Sequence, residues 1–138
     1  MAKGVTYLNP PGSPPPAGMY SHVARVSPGE LAFIAGQVAV DQKGNVVGAG
    51  DLAAQVSQVF KNLGGILRGL GADFECVVQF TTYLTGAESI PVWMSARSEL
   101  FPTLFPGGLY PPNTLLVVDR LVKPEFMVEV EAIVRLPG

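Results

Sequence analysis

The stretch Tyr110-Pro111-Pro112-Asn113-Thr114-Leu115-Leu116-Val117-Val118, followed by Phe126-Met127-Val128-Glu129-Val130-Glu131-Ala132-Ile133-Val134, decides how this chain folds. Two β-rich runs are introduced by a Pro-Pro stop and separated by a short charged turn holding Pro124. In the second run, carboxylates take alternate positions among Val128, Val130, Ala132 and Val134. Strand side chains alternate, so Glu129 and Glu131 share one face and the small apolar residues share the other. An unpaired carboxylate on so apolar a strand is expensive, and it needs a partner or a ligand. A site is expected where Asn113 and Glu131 meet.

Outward from that core, the clearest element is a helix. Leu52, Val56, Val59, Phe60, Leu63, Ile66, Leu67 and Leu70 form one stripe of a 3.6-residue period. Asp51 is placed as its N-cap and Gly71 as its stop. Cys76 to Leu84 reads as a long strand. Ser89 is expected to cap a second helix, with Pro91 tolerated in its first turn and Phe105-Pro106-Gly107-Gly108 ending it. Upstream, Tyr20–Val26 and Leu31–Val38 flank Ser27-Pro28-Gly29, a hairpin signal. Asp41 to Asn45 reads as a second turn. Gly36 interrupts its strand, which marks a bulge, a packing glycine or a close backbone approach to a ligand. Residues 1–19, with five prolines between Pro10 and Pro16, read as an extended arm.

The predicted order is hairpin, helix, strand, helix, strand, strand. Its fold class is α+β, with two helices on one face of a mixed sheet. At 138 residues the whole chain is expected to be one domain, 1–138. The other sheet face carries apolar residues and is expected to meet another subunit. Only 14% of the residues are charged against 48% hydrophobic, which fits a folded globule with covered surface.

Net charge is −2 with no basic block, so nucleic acid is not an expected partner. No apolar run approaches the ~18 residues of a membrane span, and no charged-then-apolar leader opens the chain. Cytoplasmic residence without membrane contact is the expectation. The single cysteine, Cys76, excludes an internal disulfide framework and reads as a buried thiol. With one histidine, His22, and one cysteine, neither a metal nor a cofactor is expected. No P-loop, G-x-G-x-x-G, H-E-x-x-H or G-x-S-x-G is present.

Five segments in order resemble a known family. They are Gly18-Met19-Tyr20-Ser21, Phe33-Ile34-Ala35-Gly36-Gln37-Val38, Asp51-Leu52-Ala53-Ala54-Gln55 with Asn62-Leu63, Val77 to Thr85, and Val128-Glu129-Val130-Glu131-Ala132-Ile133. From about Gly18 to Val134 the chain is similar to the Rid (reactive intermediate deaminase, YjgF-like) family. The resemblance implies a chorismate-mutase-like α+β fold and a homotrimer with three small-molecule clefts between subunits. For the RidA branch it also implies hydrolysis of reactive enamines and imines to ketoacids and ammonia. The endoribonuclease label sometimes attached to the family fits the acidic net charge poorly.

The chain also departs from the RidA pattern, and so resembles a divergent branch. Where RidA-type members carry an arginine opening the strand after the Pro-containing loop, this chain has Asn113. A guanidinium grips a substrate carboxylate with a bidentate, charge-assisted pair, and asparagine has no charge to offer. Losing such a contact costs about 1.5–3 kcal/mol. Two residues on, a small polar or cysteine position is Leu115, and the helix-two asparagine aligns with Met94. Tyr20, Gly36 and Glu131 are retained. By resemblance, Glu131 would orient or activate water, Tyr20 and the Gly36 backbone would position substrate, and Asn113, Leu115 and Met94 would line the cleft. Arg120, an odd offset from Asn113, is sent to the opposite strand face, and Arg97 on helix two is a further candidate cation. Two functions remain open. One is a deaminase or hydrolase of small enamine- or imine-like metabolites, inefficient on 2-aminoacrylate. The other is a non-catalytic trimer that binds a small molecule.

Overall fold

A computed structural model describes residues 3–138; the first two residues of the expected arm lie outside it. In chain order the strands and helices are β1 (Val5–Leu8), β2 (Val23–Val26), β3 (Leu31–Gln37), α1 (Leu52–Gly69), β4 (Val77–Thr85), α2 (Ser89–Leu104), β5 (Asn113–Val118) and β6 (Val128–Arg135). Four strands form a mixed sheet in the order β3-β6-β4-β5, with β6 antiparallel to both neighbours and β5 parallel to β4. A parallel pair needs a crossover, and α2 supplies it. The α+β class and the two helices agree with expectation.

Helix α1 begins and ends where its local chemistry dictates. The Asp51 carboxylate accepts from the Ala54 amide at 3.1 Å. At the other end Gly71 has a φ of +70°, and the Ala72 and Gly71 amides donate back to the Leu67 and Arg68 carbonyls. That closure requires a left-handed residue, which glycine provides without strain. Helix α2 starts differently from expectation. Glu88 is its N-cap residue, and Ser89 already lies in the first turn, its hydroxyl donating to the Thr85 carbonyl at 2.7 Å. Cys76 likewise belongs to a short 3-10 turn, Phe74–Cys76, that precedes β4.

The hairpin expected around Pro28-Gly29 does not form. β2 pairs with β1, and β3 pairs with the distant β6, so the two runs sit in different sheets. β1 therefore falls inside the segment expected to be an extended arm. The Pro-Gly link is instead a corner wrapped around Arg135. That guanidinium donates to the carbonyls of Ser27, Pro28, Lys3 and Leu136. A Cβ on Gly29 would stand 2.7 Å from Arg135 Cζ, so the corner has no room for a side chain.

The core lies between the helices and one face of the sheet. Val56, Val59, Phe60, Leu63 and Leu67 of α1 meet Phe80, Leu84, Val128, Val130 and Val134. Phe60 contacts Phe80, Trp93 and Phe101, with ring centroids 5.5–6.1 Å apart. Burying one such ring contributes roughly 1.5–3 kcal/mol. Gln55, fully buried, donates to the Gly48 and Glu125 carbonyls and accepts from the Met127 amide, which ties the β5–β6 connection to α1. Among the described residues no helix covers the opposite sheet face: Phe33 is 73% exposed, with Leu31 and Leu116 also exposed.

Candidate functional site

Register decides which polar groups meet. Across β4 and β6, Thr81 pairs with Glu131 and Tyr83 with Glu129, so both glutamates stand on the bare face, as their spacing requires. Phe80 pairs with Asn113 on one side and with Ala132 on the other, which puts Asn113 on the helix-covered face. Within one chain, then, the expected meeting of Asn113 with Glu131 does not occur. Parity carried through β4 separates them. Glu131 has another partner: the Tyr83 hydroxyl donates to its Oε1 at 2.5 Å, which raises the phenol's pKa.

The carboxylate beside Gly36 belongs to Glu129. β3 slips register between Ile34 and Gln37, and Gly36 lies in that irregularity. A Cβ on Gly36 would overlap the Glu129 carboxylate, so glycine is what allows the strand and the acid to approach. Burial, and then the charge of Glu131, push the Glu129 carboxyl above the ordinary glutamate range. Such a group holds a proton to higher pH than a solvated glutamate, as a general acid must. Sequence reasoning singled out Glu131 and passed over Glu129. The alternation placed both on one face, and only the β3 irregularity shows which one faces Gly36.

The remaining candidates form a second group. Thr82 Oγ1 donates to Asn113 Oδ1 at 3.0 Å, and Asn113 Nδ2 is buried without a partner. Leu115 packs against the core from the same strand. The Met94 sulfur lies 3.0 Å from Arg97 Nη2, and a Cβ on Gly18 would lie 2.7 Å from that same nitrogen. Two residues on, the Tyr20 hydroxyl accepts from the Ala17 amide at 3.2 Å, and its ring meets His22 edge-on at 5.7 Å. His22 is held within this loop, its Nε2 2.7 Å from the Pro14 carbonyl oxygen. Arg120 is turned into its own loop, donating to the Leu121 and Val122 carbonyls, and is exposed.

The sequence-predicted residues thus fall into two groups. Gly36 stands with Glu129 on the bare face, which also carries Glu131. Asn113 and Leu115 lie on the covered face, and Met94 joins the loop of Tyr20 through Arg97. A groove of about 560 Å³ between α1 and α2, lined by Ala53, Val56, Pro91, Val92 and Leu100 among others, contains none of them. Among the described residues no cluster of three or more His, Cys, Asp or Glu side chains is placed to hold a metal ion, and no helix is long and apolar enough to cross a membrane.

A family model described as Endoribonuclease L-PSP matches residues 11–136. A RutC family protein of Pyrococcus abyssi is 32% identical over 133 residues, which are 96% of this chain and 97% of that protein. The 2-iminobutanoate/2-iminopropanoate deaminase of Rattus norvegicus is 31% identical over 121 residues, 88% of this chain and 82% of the rat protein. Among solved structures, YyfB of Yersinia pestis, described as a protein of unknown function of the conserved Rid family, is 32% identical. It aligns with a TM-score of 0.86 over 96% of this chain and 99% of that one.

Proposed function

Because the chain belongs to the Rid (YjgF-like) family, we propose that it forms a homotrimer with small-molecule clefts between subunits and hydrolyses small enamine- or imine-like metabolites, without being an efficient 2-aminoacrylate deaminase. The observation that carries this reading is the half-buried Glu129 carboxyl set directly against Gly36. Its neighbours on the bare face include exposed Phe33, Leu31 and Leu116, which a second copy would cover. In such an assembly Gly36 and Glu129 of one subunit face Tyr20, Met94, Leu115 and Asn113 of the next, and the two groups complete one cleft.

In this reading Glu129 is the proton donor. Its proton goes to the imine nitrogen, water adds to the carbon of the C=N bond, and the resulting carbinolamine collapses. One C=N bond and one water give one C=O bond and ammonia. Glu129, now ionised, takes a proton back from the attacking water. Burial and then the negative charge of Glu131, which is fixed by Tyr83, make the Glu129 proton harder to remove. Tyr20, whose oxygen already accepts from Ala17, has its phenol proton free to position substrate.

Asn113 sets the preference. It brings no charge to a substrate carboxylate, so freshly generated 2-aminoacrylate should release ammonia slowly, and Asn113→Arg should raise that rate. Glu129→Gln should abolish turnover of an uncharged imine. Fast wild-type turnover of 2-aminoacrylate would overturn the assigned preference. Ligand binding that depends on Glu129, with no turnover of any imine, would favour the non-catalytic trimer. Sedimentation equilibrium should give three times the chain mass, and a monomer would remove the shared cleft altogether.

A further inference from the structure

The buried face of α2 repeats every four residues, through Ser89, Trp93, Arg97 and Phe101. Three of these suit an interior stripe, and Arg97 does not. It is only 5% exposed, and a guanidinium stays charged at any physiological pH. Burial works against that charge. Among the described residues its only hydrogen-bonding contact is from Nη2 to the Met94 sulfur, a weak acceptor, and its Nε has none. The one ion pair among the described residues joins Lys3 and Asp73, so no carboxylate answers Arg97. Arg135, by contrast, spends its donors on four backbone carbonyls. An uncompensated buried cation is strongly unfavourable, and an anion that reached it would relieve that cost.

Two neighbours cover the guanidinium. Gly18 is exposed and lies directly over Arg97 Nη2, roofing the guanidinium with backbone alone. Met94, 38% exposed, forms a second wall, and its flexible thioether can swing aside. Tyr20 follows two residues after the roof, its hydroxyl accepting from the Ala17 amide beside Gly18. The Nε–Nη2 edge of a guanidinium presents two parallel N–H groups, the fork that matches a carboxylate.

We propose that this edge of Arg97, beneath Gly18 and beside Met94 and Tyr20, binds a small carboxylate, so that α2 supplies the cation that position 113 lacks. The inference rests on the small-molecule cleft proposed above but not on turnover. A carboxylate anchored from α2 enters in a different pose from one gripped at position 113, so binding and 2-aminoacrylate hydrolysis are separable. A single cation under a one-residue roof favours a small monoanion over a polyanion.

Calorimetric titration with pyruvate as probe, and methyl pyruvate as its uncharged counterpart, tests this on the full chain. Wild type should bind pyruvate saturably and the ester about tenfold more weakly or worse. Arg97→Met should erase that preference while leaving the melting temperature unchanged or higher, because it removes an unpaired buried charge. Arg97→Lys should keep part of the preference, and Arg120→Ala all of it. The proposal is overturned if wild type shows no saturable pyruvate binding, or if Arg97→Met binds pyruvate as wild type does. It is also overturned if Arg97→Met lowers both the melting temperature and the sedimentation mass, which would assign Arg97 to a carboxylate of a second copy. Ammonia release without Arg97-dependent binding would sink this proposal alone, and pyruvate binding without ammonia release would sink only the hydrolase.

Discussion

The two faces of the sheet are built from alternate residues of the same strands, and they are used differently. On the helix side Phe80, Leu84, Val128 and Val130 are fully buried. On the bare side Phe33 is largely exposed, while Glu129, Glu131 and Tyr83 are half-buried and electrostatically coupled. The period of two lets one strand serve stability with one set of residues and chemistry with the other. Trp93, Arg97 and Asn113 are the exceptions on the covered side, each holding a buried donor without a partner among the described residues. Buried donors without partners are rare in folded proteins, and each of these marks a place where packing alone does not account for the residue.

If that division is right, the largest stability effects come from the covered face. Phe60→Ala should cost about 3–5 kcal/mol and Leu63→Ala about 2–5 kcal/mol in denaturant unfolding. Phe33→Ser should change the stability of the isolated fold by no more than about 0.5 kcal/mol, while weakening assembly. Equal losses for Leu63→Ala and Phe33→Ser would erase the distinction between the faces.

Gln55→Ala should be intermediate. Each buried group it leaves unpaired costs about 1–3 kcal/mol, and the Met127 amide is one of them. Hydrogen exchange at Met127 should speed up with the loss, and an unchanged rate would mean that another acceptor replaces the glutamine.

Gly36→Ala should be smaller still in stability, since the group it displaces is the mobile end of the Glu129 side chain. It should nevertheless remove turnover, because the carboxyl is driven from its place. An alanine variant with full activity would detach Glu129 from the chemistry.

The smallest effect is a pH dependence. The folded Glu129 value lies above the ordinary glutamate value of 4.5. Its favourable contribution is therefore present below that value and is lost as pH rises through the raised one. Glu129→Gln does not titrate, so its melting temperature relative to wild type should climb from about pH 4.5 and then level off. A flat difference would mean that Glu129 is not desolvated in solution.

The local features of this chain were legible without its structure. A 3.6-residue stripe, an Asp cap and a left-handed glycine define α1 through contacts a few residues long, and alternation in β6 puts Glu129 and Glu131 together. The family resemblance came from the order of such segments. Ser89 reads as a cap because a serine that bonds backward inside a first turn looks the same in sequence as one that caps it. Partner choice was out of reach. Pro28-Gly29 has the composition of a hairpin turn, and nothing nearby announces that Arg135, more than a hundred residues on, will occupy the corner. The same holds for the site. That Asn113 and Glu131 lie on opposite faces of the sheet, that Gly36 admits Glu129, and that an arginine sits in the buried stripe of α2 all depend on register and packing between distant segments. Sequence alone determined the elements other than β1, because they answer to nearest neighbours, whereas β1 forms only by pairing with β2. Tertiary structure decided which polar groups met, because each strand's register is set by the strands it pairs with.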